Sequence, residues 1–177
     1  MKIIQIAGKA GVGKDSFGRQ LYIELRNEGK RCLILHYADR IKEVARIVYG
    51  WNGIKDEAGR KLLQEIGTEK GRKIDKNIWI KEVHTLLKFA TEEYDYVLIP
   101  DCRFINEAEY WKTKTKYDSM VVRINRENYI SELTEEAKKH QSEIDLDDYK
   151  DMEDFTISGD LDELGKHCKE FIKKYNF

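Results

Sequence analysis

Nine residues near the amino terminus, Gly8-Lys9-Ala10-Gly11-Val12-Gly13-Lys14-Asp15-Ser16, carry the most specific chemistry in the chain. They fit the pattern G-x-x-x-x-G-K and stand between a short apolar run, Ile3 to Ala7, and a segment of helical periodicity. Glycines let the backbone curl until several N–H groups point into one concavity, and the following helix adds its positive end, so this segment is suited to hold phosphates. Lys14 is placed to bridge the outer phosphates of a nucleoside triphosphate, inside a cradle of Gly8, Lys9, Gly11, Val12, Gly13, Lys14, Asp15 and Ser16. Where a hydroxyl residue normally follows the lysine and ligates Mg2+, this chain has Asp15. A carboxylate there can ligate the cation directly or through water, and it favours the helix N-terminus. Ser16 lies about 100° further around the helix and cannot take over that role. ATP and Mg2+ are the expected ligands.

A second candidate pair is Asp101 and Arg103, just after the apolar run Tyr96 to Pro100. The carboxyl ends of strands are where open α/β sheets collect their ligands. Asp101 can hold Mg2+ or its waters there, and Arg103 can reach a phosphate; the alternative is an Asp that caps a turn beside a surface Arg. The histidines His36, His84, His140 and His167 are scattered, and so are Cys32, Cys102 and Cys168, with no spacing that spells a metal or redox site.

The elements that must position these residues alternate between strand and helix, the pattern of a parallel sheet wrapped by helices. Strands are expected at Ile3–Ala7, Arg31–Tyr37, Tyr94–Pro100, Met120–Asn125 and Asp154–Ser158. Helices are expected from Lys14, with Phe17, Leu21 and Leu25 inward and Gly29 as the stop, and from Asp39 as cap, with Ile41, Val44, Ala45 and Val48 inward. Further helices are expected over 57–75, 77–94, 106–116 and 161–175, with Leu62, Leu63, Ile66, Ile80, Val83, Leu86 and Leu87 on inward faces.

The 177 residues suit one domain. The formal net charge is −1, which excludes binding to nucleic acid or anionic membrane through bulk positive charge. Split at residue 90, the chain is asymmetric: +8 in the first half and −9 in the second. The basic half fits an anionic ligand. Neither a signal peptide nor a membrane-spanning apolar run is present in the sequence, so the expected setting is the cytoplasm, that of the host if the chain is viral.

The blocks GKAGVGKDS, YADRIKEVA, GRKLLQEIGTEKGRKIDKNIW, LIPDCRFINEAEYW and HQSEIDLDDY together resemble the deoxynucleoside monophosphate kinases of the phage type. They are more distantly similar to animal phosphomevalonate kinase, which also has Gly-Lys-Asp in its phosphate loop. The ordered blocks run from Gly8 to about Leu164 and are more specific than the loop alone. The resemblance implies an α/β, three-layer P-loop fold of the nucleoside-monophosphate-kinase type, with a five-stranded parallel sheet. It implies a single domain over 1–177, a helical acceptor-binding region at about 40–95 and a lid at about 126–154. It puts Asp101 and Arg103 at the active site and Lys42, Arg60 and Arg72 in or near the acceptor-monophosphate region. Gln64 shares a helical face with Arg60, where an amide can read a base or sugar edge. Arg126, expected just beyond the fourth strand, is the lid arginine for the transferring phosphate, while Arg123 reads equally as a paired strand residue. Ser142 and Glu143 fall in a matching block and are expected at lid or substrate contacts.

The implied activity is ATP-dependent phosphorylation of a deoxynucleoside monophosphate to the diphosphate. Lys14, Asp101, Arg103 and Arg126 are the candidate catalytic residues, and Asp15 and Asp101 the metal ligands. The expected partners are small-molecule nucleotides, not nucleic acid or membrane, and a homodimer is the assembly the reading allows. The alternatives are the same chemistry on another phosphorylated acceptor such as phosphomevalonate, or a nucleotide-dependent switch or adaptor. The chain lacks an Asn-Lys-x-Asp guanine-reading motif, and its arginines favour transfer. Tyr49, Trp51 and Trp79 could stack on a base but read as core. The acidic run Glu143 to Glu163 reads as a solvated or lid surface.

Overall fold

The structure, a computed structural model, describes residues 1–90, 92–131, 133–158 and 161–177. Thr91 in the expected 77–94 helix, Glu132 in the expected lid, and Gly159 and Asp160, the latter in the acidic run, lie outside the described residues. The chain forms two compact units, Met1–Leu35 with Thr91–Phe177, and His36–Ala90.

The first unit holds a five-stranded, all-parallel sheet in the order β2-β3-β1-β4-β5. Its strands are β1 (Lys2–Ala7), β2 (Cys32–Ile34), β3 (Tyr96–Ile99), β4 (Asp118–Arg126) and β5 (Glu153–Ile157). β1 is central, and Ile3, Ile4, Ile6 and Ala7 are fully buried, as expected of a parallel strand covered on both faces. Ile4 and Ile6 face α1 (Lys14–Asn27) and the last helix (Leu161–Tyr175), where Phe17, Leu21, Leu25, Cys168 and Phe171 complete one core. Gln5 points to the other face, where its amide donates to Ala108 O of α6 (Ile105–Lys114) at 3.1 Å. Alternation along one strand therefore builds three layers. The helix α1 ends where the N–H groups of Gly29 and Lys30 bond Arg26 O and Leu25 O, each at 3.0 Å.

Two local readings change. β2 stops at Ile34 instead of reaching Tyr37, because its only neighbour, β3, ends at Ile99 and the last rung is Leu35 N–H to Leu98 O at 3.0 Å. Arg126 is the last residue of β4, in register with Ile157, not a residue beyond the strand.

The second unit contains α2 (Ala38–Tyr49), α3 (Glu57–Gln64), a π-helical turn (Glu65–Gly71), α4 (Arg72–Ile74) and α5 (Ile78–Lys88). Asp39 is not the cap of α2: the helix starts one residue earlier, and Asp39 instead accepts from Lys42 Nζ at 2.9 Å. Val48 and Leu86 are exposed at 66% and 57%, because spacing says which residues share a face but not how far the neighbouring helix extends along it. The expected continuous helix over 57–75 is interrupted by the π turn. Trp79 explains where: its indole packs onto Gly71 and donates to Gly67 O at 2.8 Å, while Ile41 closes on Gly67. Trp79 is core, 5% exposed, as its spacing suggests. Among the described residues no helix is long and apolar enough to cross a membrane.

A methyl group on Gly71 would overlap the Trp79 ring and crowd Ile66 O. Gly71→Ala should therefore destabilise the protein by about 1–3 kcal/mol, the usual cost of overpacking a dense contact, read as a shift in the urea midpoint followed by tryptophan fluorescence.

Candidate active site

The site is built from the loop outward. Gly8 leaves β1 with φ +137°, and a Cβ there would stand 2.7 Å from Ile124 O, so only glycine can pass between β1 and β4. Gly13 ends the loop at φ +106° and launches α1. Between them the loop closes on itself. Val12 N–H bonds Lys9 O at 3.3 Å, and Lys14 Nζ donates to Gly8 O and Lys9 O at 2.7 and 2.8 Å.

Lys14 is only 6% exposed. Burial lowers its pKa to about 8; the positive charge of Arg103 adds to that, while Glu143, Asp15 and Asp101 pull the other way. These charges locate the cluster. Asp15, Asp101, Arg103 and Glu143 all lie within electrostatic reach of the Lys14 ammonium, which sits at the carboxyl ends of β1 and β3. Asp15 and Ser16 are exposed in the first turn of α1, and Asp101 follows Pro100 at the exit of β3.

Arg103 is aimed by its neighbours. Glu107, 2% exposed, accepts from the N–H groups of Arg103 and Phe104 at 2.7 and 3.1 Å, which fixes the turn between β3 and α6. The Arg103 guanidinium then pairs with the Glu143 carboxylate and reaches Ser142 O at 3.4 Å. Glu143 also accepts from Ala10 N–H of the loop at 2.9 Å, and its carbonyl accepts from Lys9 Nζ at 2.5 Å. Lys9 pairs with Asp147 as well, and Tyr129 OH donates to Ala10 O. The segment read as a lid thus packs on the loop through Tyr129, Glu143 and Asp147.

The acidic run, expected to be a solvated or lid surface, keeps most of its described carboxylates exposed, yet several of them are paired. Asp145 accepts from Ile105 N–H at 2.7 Å, Asp151 pairs with Lys112 at 2.8 Å, and Asp154 accepts from Asn125 at 2.9 Å. Arg123 donates to Leu146 O at 2.7 Å and Tyr149 O at 3.3 Å, a strand residue holding the same segment. Arg126 is exposed at the end of β4. Sequence reasoning placed Glu143 in a matching block but missed its partners, and missed Glu107 and Tyr129. Glu107 bonds back to the Phe104 N–H from the first turn of α6, but with Phe at the cap position no Ser/Thr/Asp/Asn-x-x-Glu signature marks it in the sequence.

The acceptor candidates belong to the 36–90 unit. Arg60 is exposed on α3 and Gln64 is half-buried on the same helix. Arg72 begins α4 and donates to Lys76 O at 3.0 Å. Lys42 pairs with Asp39 on α2. The π turn shifts the phase between Arg60 and Arg72 relative to a regular helix.

Among the described residues no three His, Cys, Asp or Glu side chains gather into a protein-only metal cage. Asp15 and Asp101 are hard oxygen donors beside the phosphate loop, the kind of partial set that Mg2+ completes with phosphate oxygens and water. The cysteines are free and buried, and burial pushes Cys32 up to about 11 and Cys168 to about 12.

The Lys14 shift makes stability depend on pH. The unfolded chain holds this proton up to about pH 10.5 and the folded chain only to about pH 8, so its contribution to stability rises with pH across that window. Lys14→Met should lack the rise. Urea midpoints at pH 7.5, 9 and 10 should therefore diverge between the two proteins, with the wild type gaining on the order of 3 kcal/mol relative to the variant.

No protein-family model matches the sequence, and no curated protein matches it. Solved structures do. Mycobacterium tuberculosis APS kinase CysC in complex with AMPPNP and APS superposes with a TM-score of 0.54 at 13% identity, covering 99% of this chain and 98% of that one. Its Cys556Ala mutant gives 0.51 at 15%, covering 99% and 97%. A gluconokinase from Sinorhizobium meliloti 1021 gives 0.50 at 9%, covering 98% and 93%. At these identities the likeness is one of fold: a five-stranded parallel α/β sheet with flanking helices, as in P-loop kinases.

Proposed function

We propose that the chain is an ATP- and Mg2+-dependent kinase that transfers a phosphoryl group to a deoxynucleoside monophosphate. The observation that carries the transferase reading is the convergence of Lys14, Asp15, Asp101 and Arg103 on one phosphate loop at the carboxyl ends of β1 and β3. The likeness of fold to kinases of small molecules supports it. The choice of acceptor rests on the resemblance to phage-type deoxynucleoside monophosphate kinases and on Lys42, Arg60, Gln64 and Arg72.

In this reading the loop amides and Lys14 hold the ATP phosphates. An acceptor phosphate oxygen attacks the terminal phosphorus, the bond to the ADP oxygen breaks, and Arg103 and Arg126 neutralise the equatorial charge. The attacking oxygen is already anionic, so no strong general base is needed. Asp15 and Asp101 would hold Mg2+, which offsets the charge on the outer phosphates. Arg60 and Arg72 clamp the acceptor phosphate, and Gln64 reads its sugar or base. The Gly-Lys-Asp loop shared with animal phosphomevalonate kinase favours one second reading, the same transfer to another phosphorylated acceptor.

An ADP-release assay with deoxy- and ribonucleoside monophosphates and phosphomevalonate separates these readings. Turnover of a deoxynucleoside monophosphate is expected, with Lys14→Ala lowering kcat by about a hundredfold or more. Arg60→Ala should raise the acceptor KM about tenfold with ATP binding intact. Turnover of phosphomevalonate alone supports the second reading. No turnover of any acceptor by protein that still binds ATP would point to a switch or adaptor.

A further inference from the structure

The Glu143 carboxylate is 6% exposed and holds two donors that an anionic ligand of this loop would want. One oxygen takes the Ala10 N–H of the loop at 2.9 Å, and the other takes the Arg103 guanidinium. A carboxylate is an acceptor-only anion, as a terminal phosphoryl group is, and both are recognised by loop amides and arginine forks. We propose that Glu143 is a built-in competitor for the position of the transferable phosphoryl group, and so a specificity residue by which the loop distinguishes nucleoside triphosphate from diphosphate.

The inference rests on reading the loop as the nucleotide site. A triphosphate must take Ala10 N–H and Arg103 away from Glu143. A diphosphate lacks the group that contests them, so the pair stays in place. The segment is also tied to the loop by Lys9, which bonds Glu143 O and Asp147, so release of the carboxylate loosens residues 141–147. The opposite idea is that Glu143 serves only to aim Arg103. The two predict opposite signs. Removing an aiming residue weakens triphosphate binding, whereas removing a competitor strengthens it.

The test is equilibrium binding of AMPPNP and ADP to the wild type, Glu143→Gln and Glu143→Ala, with thermal melting to check folding and Lys14→Ala as the binding control. Both Glu143 variants should bind AMPPNP more tightly, on the order of tenfold, while ADP changes by less than about twofold. In the wild-type protein, amide exchange over residues 141–147 should rise with AMPPNP and not with ADP, a measurement that needs no variant. Weaker or unchanged AMPPNP binding, equal tightening for both nucleotides, or identical exchange with both overturns the proposal. Because the readout is binding, failure of phosphoryl transfer with these shifts intact defeats the kinase reading alone. Equal shifts with turnover intact defeat this inference alone, and absence of nucleotide binding defeats both.

Discussion

Gly8 passes so close to Ile124 O that no side chain fits, and this contact at the end of the central strand governs the geometry of the loop from Gly8 to Lys14. A residue with a Cβ would have to push β1 from β4, the two strands paired over six rungs at the middle of the sheet. Glycine removes the conflict and turns the chain sharply. The loop then curls back far enough for Lys14 to reach the carbonyls of Gly8 and Lys9 from the first turn of α1. The same turn seats Phe17, Leu21 and Leu25 against Ile4 and Ile6. Loop shape and core packing are thus one constraint seen from two ends: the helix that buries the apolar face is the helix whose N-terminus faces the loop.

Carboxylates of residues 143–154 meet cations around and beside that loop. Lys9 pairs with Asp147, Arg103 with Glu143, Lys112 with Asp151, and Arg123 approaches Asp154. Of these four, Lys9–Asp147 alone joins the basic half to the acidic one; the other three lie within residues 91–177. Their energetic weights differ. Lys112–Asp151 has its carboxylate 71% exposed and belongs with surface pairs worth less than about 1 kcal/mol. The Arg103–Glu143 pair is largely removed from water, where breaking one side leaves an uncompensated charge and the penalty is several-fold larger. The site therefore depends on that pair far more than on the outer ones.

How much of this was legible depended on sequence distance. The loop, the strand before it and the helix after it lie within one stretch, so local spacing exposed them. The alternation of strand and helix pointed to a parallel sheet, but the order of its strands was not legible. Contacts across long separations left no local mark: Glu143 meets Ala10 and Arg103 across 133 and 40 residues. A glutamate in an acidic run looks solvated until the fold shows which amide it faces. The π turn was hidden for a similar reason, since no residue beside Gly67 or Gly71 in sequence shows that Ile41 closes on the first and the Trp79 ring on the second. Val48 failed differently. Its spacing put it on the face of Val44 and Ala45, yet it stands 66% exposed.

The depressed pKa of Lys14 shows why a carboxylate belongs in this cluster. A buried ammonium and a guanidinium beside it destabilise each other, and Arg103 is the second cause of the Lys14 shift after burial itself. Left alone, such a pair would drive Lys14 towards its neutral form or force one group out into water. Glu143 offsets both cations from a single position, and Asp15 and Asp101 add to the effect on Lys14. The cations of the loop region are therefore held together by carboxylates of the same chain. A bound polyanion would strengthen that arrangement further by raising the Lys14 pKa, because it brings more negative charge to the same donors than one carboxylate can.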